Sequence, residues 1–246
     1  MARLVAVGAG GPAGAAAYAA IVQEPRYLRA VLSTVVLAAA VTLATLLVAG
    51  VAGMFLQRNR FPGRSVLVAM LTFPLAFPGV VVGFMVIMLA GRQGLIGDVT
   101  RLLTGTKVVF AYSMAGLFLG YLYFSIPRVI LTIMAAAEKL DPRLEEAARS
   151  LGASPWRVVR DVIVPGLTPA ILSAGAICFA TSMGAFGTAF TLATEIEVLP
   201  MTIYTEFTLR ANFATAAALS VVLGAITWLV LGLARTAAGA SAAAAA

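Results

Sequence analysis

Histidine is absent from this 246-residue chain, and cysteine occurs once, at Cys178. The first absence removes the commonest general base and metal ligand, so no metal site is expected. The second leaves no internal disulfide to form, and Cys178, inside an apolar run, reads as a small buried hydrophobe. Charge is scarce too. Asp, Glu, Lys and Arg make up 11% of the residues, against about a quarter in a soluble domain. No G-x-x-x-x-G-K-[ST] phosphate loop occurs, and Gly105-Thr106-Lys107 is only a fragment of one. No acidic or basic residue is expected deep in any apolar run, which argues against a proton relay or an ion-coupled carrier. These absences leave a membrane protein that is not an enzyme.

What is present is apolar length: 61% of the chain is hydrophobic. A bilayer crossing takes roughly 20 residues, and five runs reach that length. They are Val31–Phe55, Val66–Ala90, Val108–Ile126, Leu167–Ala193 and Ala214–Leu233. Each reads as a helix, because only helices and closed barrels satisfy the backbone in lipid. Continuous apolar runs do not fit the short alternating strands of a barrel. A sixth helix over Leu4–Val22 stays open, since Gly8, Gly10, Gly11, Pro12 and Gly14 crowd its middle. Residues 1–27 are therefore set apart from a membrane domain over 28–235, and the Ala-rich tail 236–246 is assigned no function.

The net charge of +7 reads as topology rather than as a nucleic-acid surface. Arg58, Arg60 and Arg64 follow the first span. Arg128, Lys139, Arg143, Arg149, Arg157 and Arg160 follow the third, and Arg235 follows the fifth. These segments share one side and hold ten of the seventeen basic residues. The other side has Arg92, Arg101 and Lys107, then Arg210 beside Glu195, Glu197 and Glu206. The positive-inside rule places the first side, with the C-terminus, in the cytoplasm.

The long loop on that side, residues 136–165, reads as two short helices around a break. Asp141 is an N-cap and Pro142 suits the first helical position. Leu144, Ala147/Ala148 and Leu151 recur at helical spacing. Gly152 is placed just past the helix end, in a left-handed conformation. Ser154-Pro155 repeats the start signal, Trp156, Val159 and Ile163 form a second stripe, and Pro165 marks re-entry into the membrane. A solvated interhelical loop with ordinary caps accounts for this pattern as well as a docking element does.

The loop also carries a spaced signature. Glu146-Ala147-Ala148, three residues, Gly152, nine residues and Val162-Ile163-Val164-Pro165 resembles the "EAA" motif of permease subunits of ATP-binding-cassette importers. Val162 and Val164 stand where that motif has Ile and Leu. The resemblance implies an all-α membrane protein with the five-helix core of type I importer permeases and a cytoplasmic coupling helix. It implies two ATPase partners, which would bind the ATP and Mg, a second permease subunit forming a heterodimer, and an external solute-binding protein, in a bacterial cytoplasmic membrane. This chain would carry no cofactor of its own. The coupling residues would be Glu145, Glu146, Ala147, Ala148, Arg149, Leu151, Gly152, Ala153, Trp156, Arg157 and Pro165. Glu146 would cap or pair at the dock, and Ala147 and Ala148 would permit close approach.

Elsewhere the readings stay open. Gly79/Gly83 and Gly116/Gly120 form G-x-x-x-G pairs, and Pro74 and Pro78 interrupt the second span; packing and pathway-lining both fit. Thr181, Ser182, Met183, Gly184 and Phe186 line a polar path or bond to helix carbonyls. The segment Thr194–Phe213 anchors at the interface or touches a binding protein. Val198–Tyr204 is similar to permeases serving polyamines, opines, phosphonates, sulfate or iron(III), so a small polar organic solute such as a polyamine, opine or aminophosphonate is expected. An ion-coupled carrier or a passive channel is the competing function. An intramembrane hydrolase is disfavoured, because Glu145-Glu146 lacks a correctly spaced arginine and any histidine.

Overall fold

The computed structural model describes residues 14–192 and 196–244, and the described residues form helices and turns without strands. In chain order these are α1 (Gly14–Gln23), α2 (Pro25–Arg58), α3 (Arg64–Thr72), α4 (Gly79–Ala90), α5 (Leu95–Thr104) and α6 (Met114–Ala137). There follow α7 (Pro142–Ser150), α8 (Pro155–Met183), α9 (Phe186–Leu192), α10 (Leu199–Tyr204) and α11 (Phe213–Ala244). Most of the open Leu4–Val22 segment lies outside the described residues; its end is the short α1.

Apolar side chains cover both faces of the long helices, as expected of segments solvated by lipid outside and by one another inside. On α2, Leu32, Val36, Leu43, Leu47 and Val51 are exposed, whereas Leu37, Val41, Ala49 and Leu56 are buried. The interior packs α2 against α6 and α8, and α8 against α11. Leu117, Tyr121, Val129 and Ile133 of α6 lie in the central cluster.

Two ion pairs fix the sense of the bundle. Arg58, ending α2, pairs with Glu145 of α7 at what we term the loop end. Arg26, opening α2, pairs with Glu197 at 3.1 Å at the far end. There Glu206, expected in an exterior interfacial segment, is instead buried at 1% exposure. Its Oε1 accepts from Arg210 Nη1 at 2.9 Å and lies 3.9 Å from Arg26 Nη1. The charge-assisted bond from Arg210 contributes about 1.5–3 kcal/mol. Glu206→Ala should therefore lower the unfolding temperature of the detergent-solubilised chain by several degrees, with Glu206→Gln recovering part. An unchanged melt for Glu206→Ala would contradict the structural role.

Three span boundaries differ from those read in the sequence. The second crossing runs 64–90 but breaks: a 3₁₀ turn at Phe73–Ala76 ends α3, and α4 restarts after Pro78. The third crossing starts at Met114 rather than Val108, because the N–H groups of Phe110 and Ala111 both donate to Ala90 O at 3.1 Å. It continues past Pro127 to Ala137, since one missing N–H does not end a helix held by neighbours. Arg128 consequently sits inside a span and not in the following loop. The fourth spanning helix begins at Pro155 rather than Leu167, so Pro165 lies within a continuous helix. A π turn over Val159–Ile163 precedes it, a register in which a residue lacking N–H is accommodated at the restart.

The segment read as an exterior loop after α4 contains α5. It projects Leu95, Val99, Leu102 and Leu103 outward, while Asp98 pairs with Lys107 at 2.8 Å. One apolar stripe opposite charged residues is the pattern of a helix lying in the membrane interface. α11 runs on into the Ala-rich tail to Ala244, alanine being the best helix former.

Candidate functional site

The 138–154 loop is held rigidly by its own caps. Asp141 Oδ1 accepts from Arg143 N at 3.0 Å, with Pro142 in the first turn of α7. At the other end Gly152 adopts φ +80°. Its N–H donates to Arg149 O at 2.9 Å, and Ala153 N–H donates to Ala148 O at 3.0 Å. This is the Schellman pair of bonds, and only glycine enters the left-handed region there without strain. Ser154 Oγ then accepts from Arg157 N at 3.4 Å, starting α8. The second short helix of the sequence reading is thus the first turn of a membrane-crossing helix.

The apolar face expected of α7 divides into two. Ala148 and Ala153 pack against the bundle core, and Glu145 turns the same way, bonded to Arg58 with Arg149 3.9 Å away. Leu144 and Leu151, at 56% and 89% exposure, point away together with Ala147, and Trp156 in the first turn of α8 is 70% exposed. Glu146 is exposed and its carboxylate has no ion pair among the described residues. Glu145, not Glu146, therefore ties the loop to the bundle. Arg157 and Pro165 are exposed on α8.

A second feature lies within the bundle, where two crossings break. The α3–α4 break and the α8–α9 break at Gly184-Ala185 face α6 across a cavity of about 270 Å³. Pro74, Phe77, Phe124, Arg128, Thr181 and Thr188 are among its lining residues. Tyr121 Oη donates to Ala185 O at 2.6 Å, satisfying a carbonyl freed by the break. Thr188 Oγ1 donates to Gly79 O at 2.9 Å, and Thr181 Oγ1 to Ile177 O at 2.9 Å.

Of the five side chains proposed for a path, Thr181 lines this cavity. Gly184 supplies the break, and Phe186 stacks with Phe190 and Tyr204, each ring centroid 5.3 Å away. Met183 turns instead into the packing with Ala38 and Phe179, and Ser182 is buried. Three of the four G-x-x-x-G glycines face α9: a Cβ at Gly79 would meet Thr188 at 3.1 Å, one at Gly83 Thr191 at 2.6 Å, and one at Gly120 Thr188 at 2.7 Å, whereas Gly116 faces Ala111. Arg128 and Thr188 were missed. The apolar run read as the third span stops at Ile126, which placed Arg128 in the loop that follows.

Residues 47–238 match the family described as the binding-protein-dependent transport system inner membrane component. The chain belongs to that family. It is an importer permease subunit of the ATP-binding-cassette class. Its relatives include the molybdenum transport system permease protein ModB of Escherichia coli K12, 34% identical over 180 residues, covering 72% of this chain and 78% of that protein. The sulfate transport system permease protein CysT of the same strain is 32% identical, covering 72% and 64%. The putative 2-aminoethylphosphonate transport system permease protein PhnU of Salmonella typhi is 29% identical, covering 87% and 76%. Among solved structures, a bacterial ABC transporter that imports alginate superposes with a TM-score of 0.82 at 16% identity, covering 97% of this permease and 87% of that chain. The MetNI methionine ABC transporter does so at 0.66 and 17%, covering 87% and 95%. At these identities the likeness establishes the type I permease fold.

Proposed function

We propose that this permease subunit forms half of the translocation pathway of an ATP-driven solute importer and couples ATPase closure to alternating access through α7. The observation that carries this is the outward face of Leu144, Ala147 and Leu151 on α7, held rigidly at the most basic end of the bundle, with Trp156 exposed where α8 begins. Exposed leucine and tryptophan on a capped helix suit insertion into a partner's groove. Glu146, Arg149 and Arg157 border the patch as polar rim contacts. The loop end and C-terminus would face the cytoplasm of a bacterial cell, with the protein in its cytoplasmic membrane. Two ATPase subunits, a second and different permease chain and an external binding protein would complete the machine. Lipid would surround it, with no nucleic acid involved.

The mechanical route follows from the chain. Pressure on α7 reaches α2 through Glu145–Arg58. It reaches the cavity through α8, which rises without interruption from Pro155 to Thr181, on the order of 40 Å. The π turn at Val159–Ile163 is a natural joint in that lever. Rocking of packed helices would then open the cavity alternately to the two sides, with Thr181, Gly184 and Phe186 along the path. The solute is proposed to be anionic, since the named relatives include sulfate and phosphonate permeases.

Purification from native membranes in mild detergent, followed by mass spectrometry, tests the assembly. Recovery of a Walker-motif ATPase and a second permease supports it. A lone chain that passes solute without ATP favours the channel or carrier. The ion pair offers a finer check. Arg58→Glu and Glu145→Arg should each lower binding-protein-stimulated ATP hydrolysis a few-fold, for a coupling of about 1 kcal/mol. The double variant should restore it, and absence of rescue would remove the pair from the route.

A further inference from the structure

We propose that Arg128 is a solute-contacting residue and that the cavity it lines takes a small tetrahedral oxyanion. The inference deepens the importer reading and rests on it.

Arg128 lies 14 residues after Met114 and 9 before Ala137 in α6, roughly 21 and 14 Å from the helix ends at 1.5 Å per residue. Side chains on a helix tilt toward its N-terminus, here toward Phe124 and the cavity rather than toward the nearer loop end. A guanidinium does not deprotonate in a protein, so the bilayer interior holds a permanent cation. Among the described residues it has no ion pair and its guanidinium makes no hydrogen bond; the ion pairs all lie elsewhere. An unpaired charge at this depth is costly and marks a binding function by default.

The cavity's remaining chemistry selects the occupant. The Thr181 and Thr188 hydroxyl protons are already given to backbone carbonyls. Among the lining side chains the free donors are those of Arg128, whose planar fork matches two oxygens of a sulfate-like or phosphonate-like group. No Asp or Glu lines the cavity, so a polyamine would meet only a like charge. At about 270 Å³ the space is some nine times the ~30 Å³ share of one liquid water, enough for an oxyanion with part of its hydration. Arg128 is exposed in the single chain, so the cavity is open for a solute to enter.

The test uses the complete transporter, with its own ATPase, second permease and binding protein, in proteoliposomes. Uptake of sulfate, molybdate, 2-aminoethylphosphonate and putrescine is measured. The wild type should carry at least one of the anions and reject putrescine. Arg128→Gln should assemble in normal yield yet lower anion uptake at least tenfold, and Arg128→Lys should retain more than Arg128→Gln. Arg128→Cys should regain uptake when a thiosulfonate reagent attaches an ammonium group, and not when one attaches a sulfonate. Cys178, 2% exposed, should not compete for the reagents. That rescue separates charge from a merely structural role.

Anion uptake by Arg128→Gln within twofold of wild type overturns the proposal, as does a wild type that carries putrescine or none of the three anions. Loss of bound anionic lipid from Arg128→Gln with uptake intact would assign the guanidinium to a lipid phosphate, which also overturns it. Uptake that needs no ATP would instead contradict the importer reading and leave the Arg128 comparison standing.

Discussion

Leu151→Asp should lower ATP-driven uptake more than tenfold while leaving the membrane bundle's stability within about 0.5 kcal/mol of the parent. The asymmetry follows from its position. Leu151 is 89% exposed and follows the last turn of α7, so the isolated chain loses almost no packing when it is replaced. A docked partner would lose an apolar anchor and acquire a carboxylate to desolvate. Central anchors of interfaces are each worth about 2 kcal/mol or more, which is about thirtyfold in occupancy. Leu144→Asp, at 56% exposure on the same face, should act in the same direction. Detergent-extracted complexes should lose their ATPase in both variants while the melting temperature of the permease stays put. Full ATPase retention with wild-type uptake in the pair would remove this patch from the coupling surface.

Gly116→Ala should be the most damaging single methyl addition in the bundle. Its Cβ would land on the carbonyl oxygen of Ala111, at the turn where residues 110–111 bond back to Ala90. Backbone cannot move aside as a flexible side chain can, so the cost should approach the upper end of the 1–3 kcal/mol typical of overpacking. Gly50→Ala is the matched control: its Cβ meets nothing within 4 Å, and in the middle of α2 alanine is the better helix former. Thermal unfolding in detergent should show Gly116→Ala melting several degrees low and Gly50→Ala at or above wild type. Equal melts would mean that the 110–116 turn relaxes easily and does not anchor the start of α6.

The sequence exposed the bundle because lipid solvation demands long apolar helices, and that demand is visible as composition alone. It exposed the loop for a different reason. Asp141, Pro142, Gly152 and Ser154 act through local backbone bonding, and local rules survive without tertiary information. What stayed hidden depended on neighbours. The apolar run of the third span stops at Ile126, but α6 passes on through Pro127 because surrounding helices hold the turn. That boundary placed Arg128 in the loop after the span and kept from view a cation well inside α6. Glu146 drew attention through the spaced signature, whereas adjacent Glu145 bonds to Arg58, 87 positions away. The convergence of Gly79, Gly83 and Gly120 on α9 likewise needs the fold, since Thr188 and Thr191 lie far along the chain.

The central claim is that α7 docks an ATPase and that closure of that partner drives the bundle. A benzophenone amino acid placed at Leu151, activated by light in native membranes, tests it most directly. The account predicts a single major adduct with the ATPase subunit, whose yield changes when a non-hydrolysable ATP analogue is added. An adduct with the external binding protein, or with lipid alone, would put this loop on the wrong surface and contradict the account.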